Sequence, residues 1–286
     1  MLRRLWLLLF VCACGARTEL YAFDAGEPDA PPPHDASADV NDASAPDVTD
    51  APVIDDVTSG CDGGVTAYLW DVAGVLYTFD PTTLATSAIG QVSCPTNATP
   101  WTFSVSRAGY ALMIYEDWKI YHVDLATLAC TPTPFNENVI GFGGDEAIAI
   151  SRDPNTPEQL FIYGLINNAP NLAVADPIAL APTVVGPVNA KTLLFPADMQ
   201  GDALGHLFVL GEQGHFLELD SKTAAVLVDE PTAFSAGDWA VMTFGNSVFF
   251  FGDGDVSLVD VQNGTLTSLG STNVPVVGAS AAPCTQ

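Results

Sequence analysis

A hairpin-like segment of 13 to 17 residues recurs five times in this 286-residue chain, and this repeat restricts the fold more than any other feature. Each copy has an apolar run, a polar or glycine-containing turn, a second apolar run and a closing aspartate, without helical periodicity. The copies span residues 67–80, 111–124, 160–176, 207–220 and 248–260. Their closing aspartates lie 40 to 52 residues apart, a spacing typical of repeat architectures.

Further apolar segments flank each hairpin, which predicts four strands per repeat. Inner strands are expected before copies two to five, beginning at Thr102, Ala147, Leu193 and Trp239. Copy one has no such segment before it, whereas an unassigned apolar segment remains at 274–282. We therefore predict an all-β, five-bladed β-propeller of four-stranded antiparallel blades, closed by the C-terminal strand. A two-sheet sandwich is the alternative.

The closing aspartates begin turns of the form Asp-x-x-Thr in three copies, at 80–83, 124–127 and 220–223. A strand followed by this turn resembles the repeats of kelch-like and quinoprotein-type propellers, and the resemblance extends over most of 61–286. An aspartate at the start of a tight turn accepts hydrogen bonds from the backbone that follows it. We therefore interpret the five aspartates as structural: Asp80, Asp124, Asp176, Asp220 and Asp260.

The N-terminus carries an export signal. Arg3 and Arg4 precede an apolar run at 5–11, which is far shorter than the roughly 20 residues that cross a bilayer. Residues 11–14, Val-Cys-Ala-Cys, then resemble the lipobox of bacterial lipoproteins, although Cys12 departs from the small residue usual at its position. The resemblance implies that 1–13 are removed and that Cys14 is acylated. Because Gly15 follows, it also implies location at the outer membrane or cell surface.

Residues 14–60 are predicted to form a disordered tether. Between 18 and 60 the chain has 11 acidic residues, six prolines and no lysine or arginine, a composition that favours an extended, unfolded segment. The whole chain has 34 acidic and 8 basic residues, with a net charge of −26. Nucleic acid is excluded as a partner because phosphate binding needs clustered cations. Residues 61–286 form the predicted propeller domain, which is expected to be monomeric.

Four cysteines lie beyond the export signal: Cys61, Cys94, Cys130 and Cys284. An exported chain meets oxidising conditions, so two disulfides in one of three pairings are expected. In the propeller scheme Cys284 ends the closing strand and Cys61 precedes the neighbouring strand of the same blade. A Cys61–Cys284 bond is therefore predicted to hold the ring closed, and a Cys94–Cys130 bond between blades one and two remains by elimination.

The sequence contains no nucleophile, zinc or nucleotide-binding motif, so no catalytic, cofactor-binding or metal-ligating residue is predicted. The histidines stand at non-equivalent positions and are interpreted as structural or exposed: His34, His122, His206 and His215. Residues 253–255, Asp-Gly-Asp, lack the remainder of a calcium loop and favour a hairpin turn. Asp198, on a predicted inner strand, is a candidate to face the central channel without a partner carboxylate.

These observations favour a lipid-anchored, non-catalytic propeller that binds a protein or a glycan and reaches the membrane through its N-terminal lipid. One alternative is a hydrolase or lyase that acts on carbohydrate or lactone in the central channel. A second alternative is a structural component of the cell envelope. A convergent cluster of carboxylates and histidine at the axis would favour the enzyme, because the propeller fold alone does not fix function.

Overall fold

A computed structural model describes residues 64–284, except 144–145, 154, 192–195, 212–213, 233–238 and 253. All of these residues belong to the unit formed by Val53–Gln286. The predicted signal peptide at 1–13, the lipidation site Cys14, the tether at 14–60 and the cysteine Cys61 lie outside the described residues. These four interpretations stay predictions.

Five antiparallel sheets of four strands make up the described chain, with strands numbered β1 to β20 along the sequence. Blade one contains, from the axis outward, β20 (Val276–Ala281), β1 (Ala67–Asp71), β2 (Val75–Phe79) and β3 (Thr86–Gln91). Blade two contains β4 (Pro100–Val105), β5 (Tyr110–Tyr115), β6 (Ile120–Asp124) and β7 (Cys130–Pro132). Blade three, preceded by a short 3-10 helix at Glu137–Val139, contains β8 (Ala147–Ser151), β9 (Gln159–Ile166), β10 (Ala169–Ala175) and β11 (Thr183–Pro187).

Blade four contains β12 (Pro196–Gly201), β13 (His206–Gly211), β14 (His215–Asp220) and β15 (Val226–Pro231). Blade five contains β16 (Trp239–Phe244), β17 (Ser247–Gly252), β18 (Asp255–Asp260) and β19 (Thr265–Ser271). Gly252 pairs with Asp255, so the hairpin predicted there is present, although Asp253 itself lies outside the described residues. Among the described residues, no helix has the length and apolar character needed to cross a membrane.

The C-terminal strand closes the ring. β20 pairs antiparallel with β1, with Ala281 opposite Ala67 and Gly278 opposite Trp70. The inner strands β20, β4, β8, β12 and β16 contact one another in this order, and β16 contacts β20. The predicted five-bladed propeller, with blade one completed from the end of the chain, is therefore confirmed. Closure leaves no free strand edge between the first and the last blade.

The inner strand of blade two begins at Pro100 rather than at the predicted Thr102. In blade four the strand is described from Pro196, and the predicted start at Leu193 lies outside the described residues. A proline lacks a backbone N–H and is tolerated as the first residue of a strand. The inner strands carry buried polar side chains, including Asp198 and Ser104.

The hydrophobic core consists of five clusters, each shared by two neighbouring blades. Between blades four and five, Leu210 and Phe216 pack with Val241 and Phe250, and all four are fully buried. The two facing sheets of a β-sandwich bury apolar side chains between them in the same way. Burial of one such side chain contributes roughly 1.5–3 kcal/mol to folding. The blades are therefore held mainly by contacts with their neighbours around the ring.

The repeated aspartates fix the turn between the third and fourth strand of each blade. The N–H two residues further on donates to the carboxylate in every blade; the aspartates are Asp80, Asp124, Asp176, Asp220 and Asp260. The fourth residue after each aspartate donates its N–H to the aspartate carbonyl and has a left-handed φ; these residues are Leu84, Leu128, Leu180, Ala224 and Gly264. The predicted structural role of the aspartates is confirmed.

Cys94 and Cys130 form a disulfide with their Cα atoms 5.0 Å apart, as predicted. Cys94 lies in the segment that leads from blade one to blade two, and Cys130 begins the outer strand of blade two. Cys284 is buried and is disulfide-bonded. Because Cys61 lies outside the described residues, the Cys61–Cys284 pairing stays a prediction.

Candidate functional site

The ring has two faces that differ in the turns they carry. One face, here called the Asp-turn face, carries the five aspartate turns and the turns between the first and second strands of the blades. Val65 precedes β1 and Cys284 follows β20. Both residues lie on the Asp-turn face, because Ala67 at the start of β1 pairs with Ala281 at the end of β20. The opposite face carries the turns between the second and third strands.

Polar side chains fill the centre of the ring. Asp198 is fully buried on β12, and its carboxyl group accepts hydrogen bonds from the Val241 N–H at 2.9 Å, the Met199 N–H at 2.8 Å and the Thr102 hydroxyl. Burial raises the pKa of Asp198 well above its usual value, against these three hydrogen bonds, which lower it. The residue predicted to face the channel thus lies at the axis, but its carboxyl group is enclosed.

The neighbouring layer of the axis is also closed by hydrogen bonds. Gln200 donates from Nε2 to the Phe103 carbonyl at 2.8 Å, and its Oε1 accepts from the Ser280 hydroxyl at 2.9 Å. A Cβ atom on Gly201 would collide with Ser151 and would lie 2.9 Å from the Ile150 carbonyl oxygen. The backbones of β12 and β8 therefore approach each other too closely for a ligand to pass between them at this level.

The candidate site is a pocket of about 510 Å³ on the Asp-turn face, between blades four and five. We call it the 4/5 pocket. Its polar lining includes Asp202, His206 and Glu218, and its apolar lining includes Leu204, Phe208 and Val248. The volume falls within the range of roughly 300–1,000 Å³ that is typical of small-ligand sites.

A histidine lies between two carboxylates in this pocket. His206 Nδ1 is 3.1 Å from Asp202 Oδ2 and 3.6 Å from Glu218 Oε1. Asp202 is held in place because its Oδ1 accepts hydrogen bonds from the N–H groups of Leu204 and His206, both at 2.8 Å. The side chain of His206 is 37% exposed, whereas both carboxylates are 13% exposed. The carboxylates therefore lie deeper than the imidazole.

Glu218 is the least satisfied member of this group. Burial is the main cause that raises the pKa of its carboxyl group, Asp202 raises it further, and His206 lowers it. Within the described residues, the Glu218 carboxylate accepts no hydrogen bond, and its contact with His206 is longer than a hydrogen bond. Glu218 is not among the described residues with a fully buried, unpaired polar atom, so its carboxylate stays open to the pocket.

The sequence interpretation missed this cluster because it treated His206 as an isolated strand histidine. The signal lay in the pairing of β13 with β14, which places Phe208 opposite Glu218 and His206 opposite Asp220. His206 and Glu218 are therefore diagonal neighbours on one face of the hairpin. Alignment of the two strands of the hairpin in copy four would have placed His206 and Glu218 next to each other. It would not have shown that residues of blade five line the same pocket.

The other described histidines, His122 and His215, lie outside the 4/5 pocket. His122 stacks on Tyr110 with ring centroids 4.6 Å apart, and His215 Nδ1 lies 3.2 Å from Asp229 Oδ1. Both arrangements agree with the predicted structural role, whereas His34 lies outside the described residues. In the part of the chain that the structure describes, no group of three or more His, Cys, Asp or Glu side chains is arranged to hold a metal ion.

The sheet topology and the closed ring define the protein as a five-bladed β-propeller. No protein-family model and no curated protein matches its sequence. Among solved structures, it is similar to a chain of the structure titled "Crystal structure of Nidogen/Laminin Complex". That similarity has 10% sequence identity and a TM-score of 0.49, and it covers 78% of this chain and 100% of the other.

Proposed function

We propose that the protein is an exported, lipid-anchored propeller of the bacterial envelope that acts as a non-catalytic module and binds a protein partner through its Asp-turn face. The observation that carries the proposal is the 4/5 pocket, which combines apolar walls with a recessed carboxylate that accepts no hydrogen bond from the described residues. A rigid ring that presents such a recess suits recognition. The repeats that resemble those of kelch-like and quinoprotein-type propellers are consistent with this role.

A protein partner is favoured over a glycan by the lining of the pocket. Sugar-binding sites commonly offer an exposed aromatic face, because such rings supply large contact area together with a polar edge. The aromatic ring among the lining residues, Phe208, is only 6% exposed and packs within the core of blades four and five. The pocket instead offers aliphatic walls with carboxylates.

The carboxyl group at the axis supports binding rather than channel chemistry. Asp198 is fully buried, and its hydrogen-bond partners are one hydroxyl and two backbone N–H groups. A general acid or base must come within hydrogen-bond distance of the group with which it exchanges a proton. Among the described residues, Asp198 has no exposed surface, and the hydrogen bonds of Gln200 to Phe103 and Ser280 close the neighbouring layer of the axis.

The anchor is supported by the N-terminal sequence. The cationic and apolar leader, the lipobox-like residues 11–14 and the acidic segment at 18–60 suit a lipidated, tethered domain. A flexible tether of about 45 residues would span roughly 40 Å, and more with charge repulsion. We expect Cys14→Ser to abolish labelling with palmitate, whereas Cys12→Ser should retain it. Undiminished labelling of the Cys14→Ser chain would refute the anchor.

Binding through the Asp-turn face can be tested with site-specific photo-crosslinking in intact cells. A benzoylphenylalanine residue is placed at Leu204, which lies at the pocket and is 52% exposed, or at Val184, which is 46% exposed on the outer strand of blade three. We expect a discrete protein adduct from position 204 and none from position 184. The proposal fails when neither position, or both positions equally, give adducts.

A further inference from the structure

We propose that the 4/5 pocket binds the cationic side chain of a lysine or arginine presented by the partner. This inference rests on the proposed function and specifies which chemistry the Asp-turn face recognises. The feature that suggests it is the position of a recessed carboxylate, Glu218, in the same pocket as Leu204, an aliphatic side chain that is 52% exposed. Phe208 and Val248, which also line the pocket, are buried and form its apolar floor.

Lysine and arginine side chains supply both parts. Each has an aliphatic stem that packs on apolar surface and a charged head that donates several hydrogen bonds. A cationic head placed at Glu218 would also interact favourably with Asp202, whose Oδ2 faces the same histidine. Charge-assisted hydrogen bonds of this kind are roughly twice as strong as neutral ones. The pocket thus satisfies the stem and the head of one side chain together.

Within the described residues, this chain places no lysine or arginine in the pocket. Arg152 lies beside Asp202, since its backbone N–H donates to the Asp202 carbonyl, but it does not line the pocket. The described lysines and Arg107 form ion pairs away from this pocket: Arg107 with Glu158, Lys119 with Asp117, Lys191 with Glu230 and Lys222 with Asp153. The segment at 18–60 has 11 acidic residues and no lysine or arginine, so its charge opposes entry into a pocket that contains two carboxylates.

The size of the pocket fits a short peptide segment. A volume of about 510 Å³ exceeds what one side chain fills, so the residues next to the cation can also contact the pocket. The turn of blade five at Gly245 and Asn246 lines the rim opposite Asp202 and offers backbone and amide groups. Specificity would come from the cation, and the rim would contact the backbone of the bound segment.

The test uses nuclear magnetic resonance of the full chain with two small probes. Nα-acetyl-lysine amide has the ammonium group, whereas Nα-acetyl-norleucine amide has the same backbone and a comparable aliphatic stem without it. We expect the lysine probe to shift the backbone signals of His206, Glu218 and Gly245 in a saturable manner. The norleucine probe should bind at least about tenfold more weakly, equivalent to roughly 1.4 kcal/mol.

Glu218→Gln should lower the affinity for the lysine probe at least about tenfold, because the amide removes the negative charge and keeps the shape. Asp255→Asn is the matched control, since Asp255 is an exposed carboxylate on the opposite face of blade five, and it should leave the affinity unchanged. The comparison of the two probes on the unaltered chain does not depend on how either variant folds.

Three results would overturn the inference. The first is equal binding of the two probes, and the second is unchanged binding by Glu218→Gln. The third is a response of the pocket signals to a neutral sugar such as maltotriose without a response to the lysine probe. Each of these results leaves the position-specific adduct at Leu204 intact, so failure of this inference can be distinguished from failure of the proposed function.

Discussion

The hydroxyl group of Thr102 on β4 donates a hydrogen bond to the carboxyl group of Asp198 on β12, and this bond joins blades two and four across the centre of the ring. The two blades are not neighbours, so the contact exists only because the inner strands converge at the axis. Asp198 also accepts the Val241 N–H of blade five. One buried carboxyl group therefore links three of the five blades.

Asp198→Asn is expected to lower the free energy of unfolding by about 1–3 kcal/mol at pH 4, because an amide has one acceptor oxygen and leaves a buried N–H of Met199 or Val241 unpaired. Thr102→Val should have a smaller effect, since both N–H groups keep their acceptor. Urea unfolding monitored by circular dichroism measures both values. Equal stability of Asp198→Asn and the unaltered chain would contradict the axial role of Asp198.

The unaltered chain and Asp198→Asn also test how the Asp198 carboxyl group titrates. Burial raises the folded pKa of Asp198 above the usual value of about 3.9. At a pH between the usual pKa, which applies to the unfolded chain, and the raised pKa of the folded chain, Asp198 is protonated only in the folded chain. The contribution of Asp198 to the free energy of unfolding therefore falls as the pH rises through this range. We expect the stability difference between the unaltered chain and Asp198→Asn to narrow from pH 4 to pH 7. A difference that widens would show that the folded pKa is lowered.

Gly264→Ala should destabilise the chain by about 1–2 kcal/mol. Gly264 has a φ of 65°, and a Cβ atom there would lie 2.9 Å from Glu230 Cβ and 3.1 Å from the Pro231 carbonyl oxygen. The equivalent residue of blade four, Ala224, also has a left-handed φ but is an accommodated, buried alanine. The reverse change, Ala224→Gly, should therefore alter stability by less than about 1 kcal/mol. Thermal unfolding of both variants provides the comparison.

Deletion of residues 272–286 should cause aggregation or loss of cooperative unfolding. The deletion removes β20, exposes the edge of β1 and takes away Ser280, whose hydroxyl accepts the Val105 N–H at 3.0 Å. Cys284→Ser alone should have a smaller effect because it leaves the strand in place. Size-exclusion chromatography and calorimetry report both outcomes. A monomeric, cooperatively unfolding deletion variant would show that blade one does not need the C-terminal strand.

Cys94→Ser is expected to lower stability by roughly 3–4 kcal/mol in the chain-entropy account, because the bond to Cys130 closes a loop of 36 residues. Urea unfolding under non-reducing conditions provides the measurement. The double variant Cys94→Ser/Cys130→Ser should be no less stable than the single one. Peptide mapping without reductant identifies the bonds directly, and a main peptide that joins Cys61 to Cys94 or Cys130 would refute the pairing.

Asp80 should titrate far below an ordinary aspartate. The hydroxyls of Thr82 and Thr83 and the Thr82 N–H donate to its carboxylate and lower its pKa to about 2. Its contribution to stability is present above about pH 4 and is lost as the pH falls through the folded pKa. Thr82→Val should raise the pKa towards 3.9, whereas Thr78→Val, which removes a hydroxyl bonded to the Ser87 carbonyl, should not. Carbon-detected titration of the carboxyl group measures these values.

The sequence was informative where structure depends on neighbours along the chain. The repeated hairpins predicted the number of blades, and the unassigned segment at 274–282 predicted that the ring closes through the C-terminal strand. The turn aspartates, such as Asp80, were recognisable because their hydrogen bonds reach only two to four residues further on. The Cys94–Cys130 bond was predicted by elimination, after Cys61 had been assigned to Cys284, and the structure contains it.

Tertiary structure decided what depends on the distance between blades. Asp198 was visible as an inner-strand carboxylate, but its burial depends on the approach of β4 and β16, which no local pattern encodes. The 4/5 pocket likewise forms where the β13–β14 hairpin meets the turn at Gly245. Hydrophobic periodicity specifies which face of a strand is buried, whereas the twist and spacing of packed sheets determine which buried and half-buried groups meet. His206 and Glu218 therefore acquire their shared pocket only in the assembled ring.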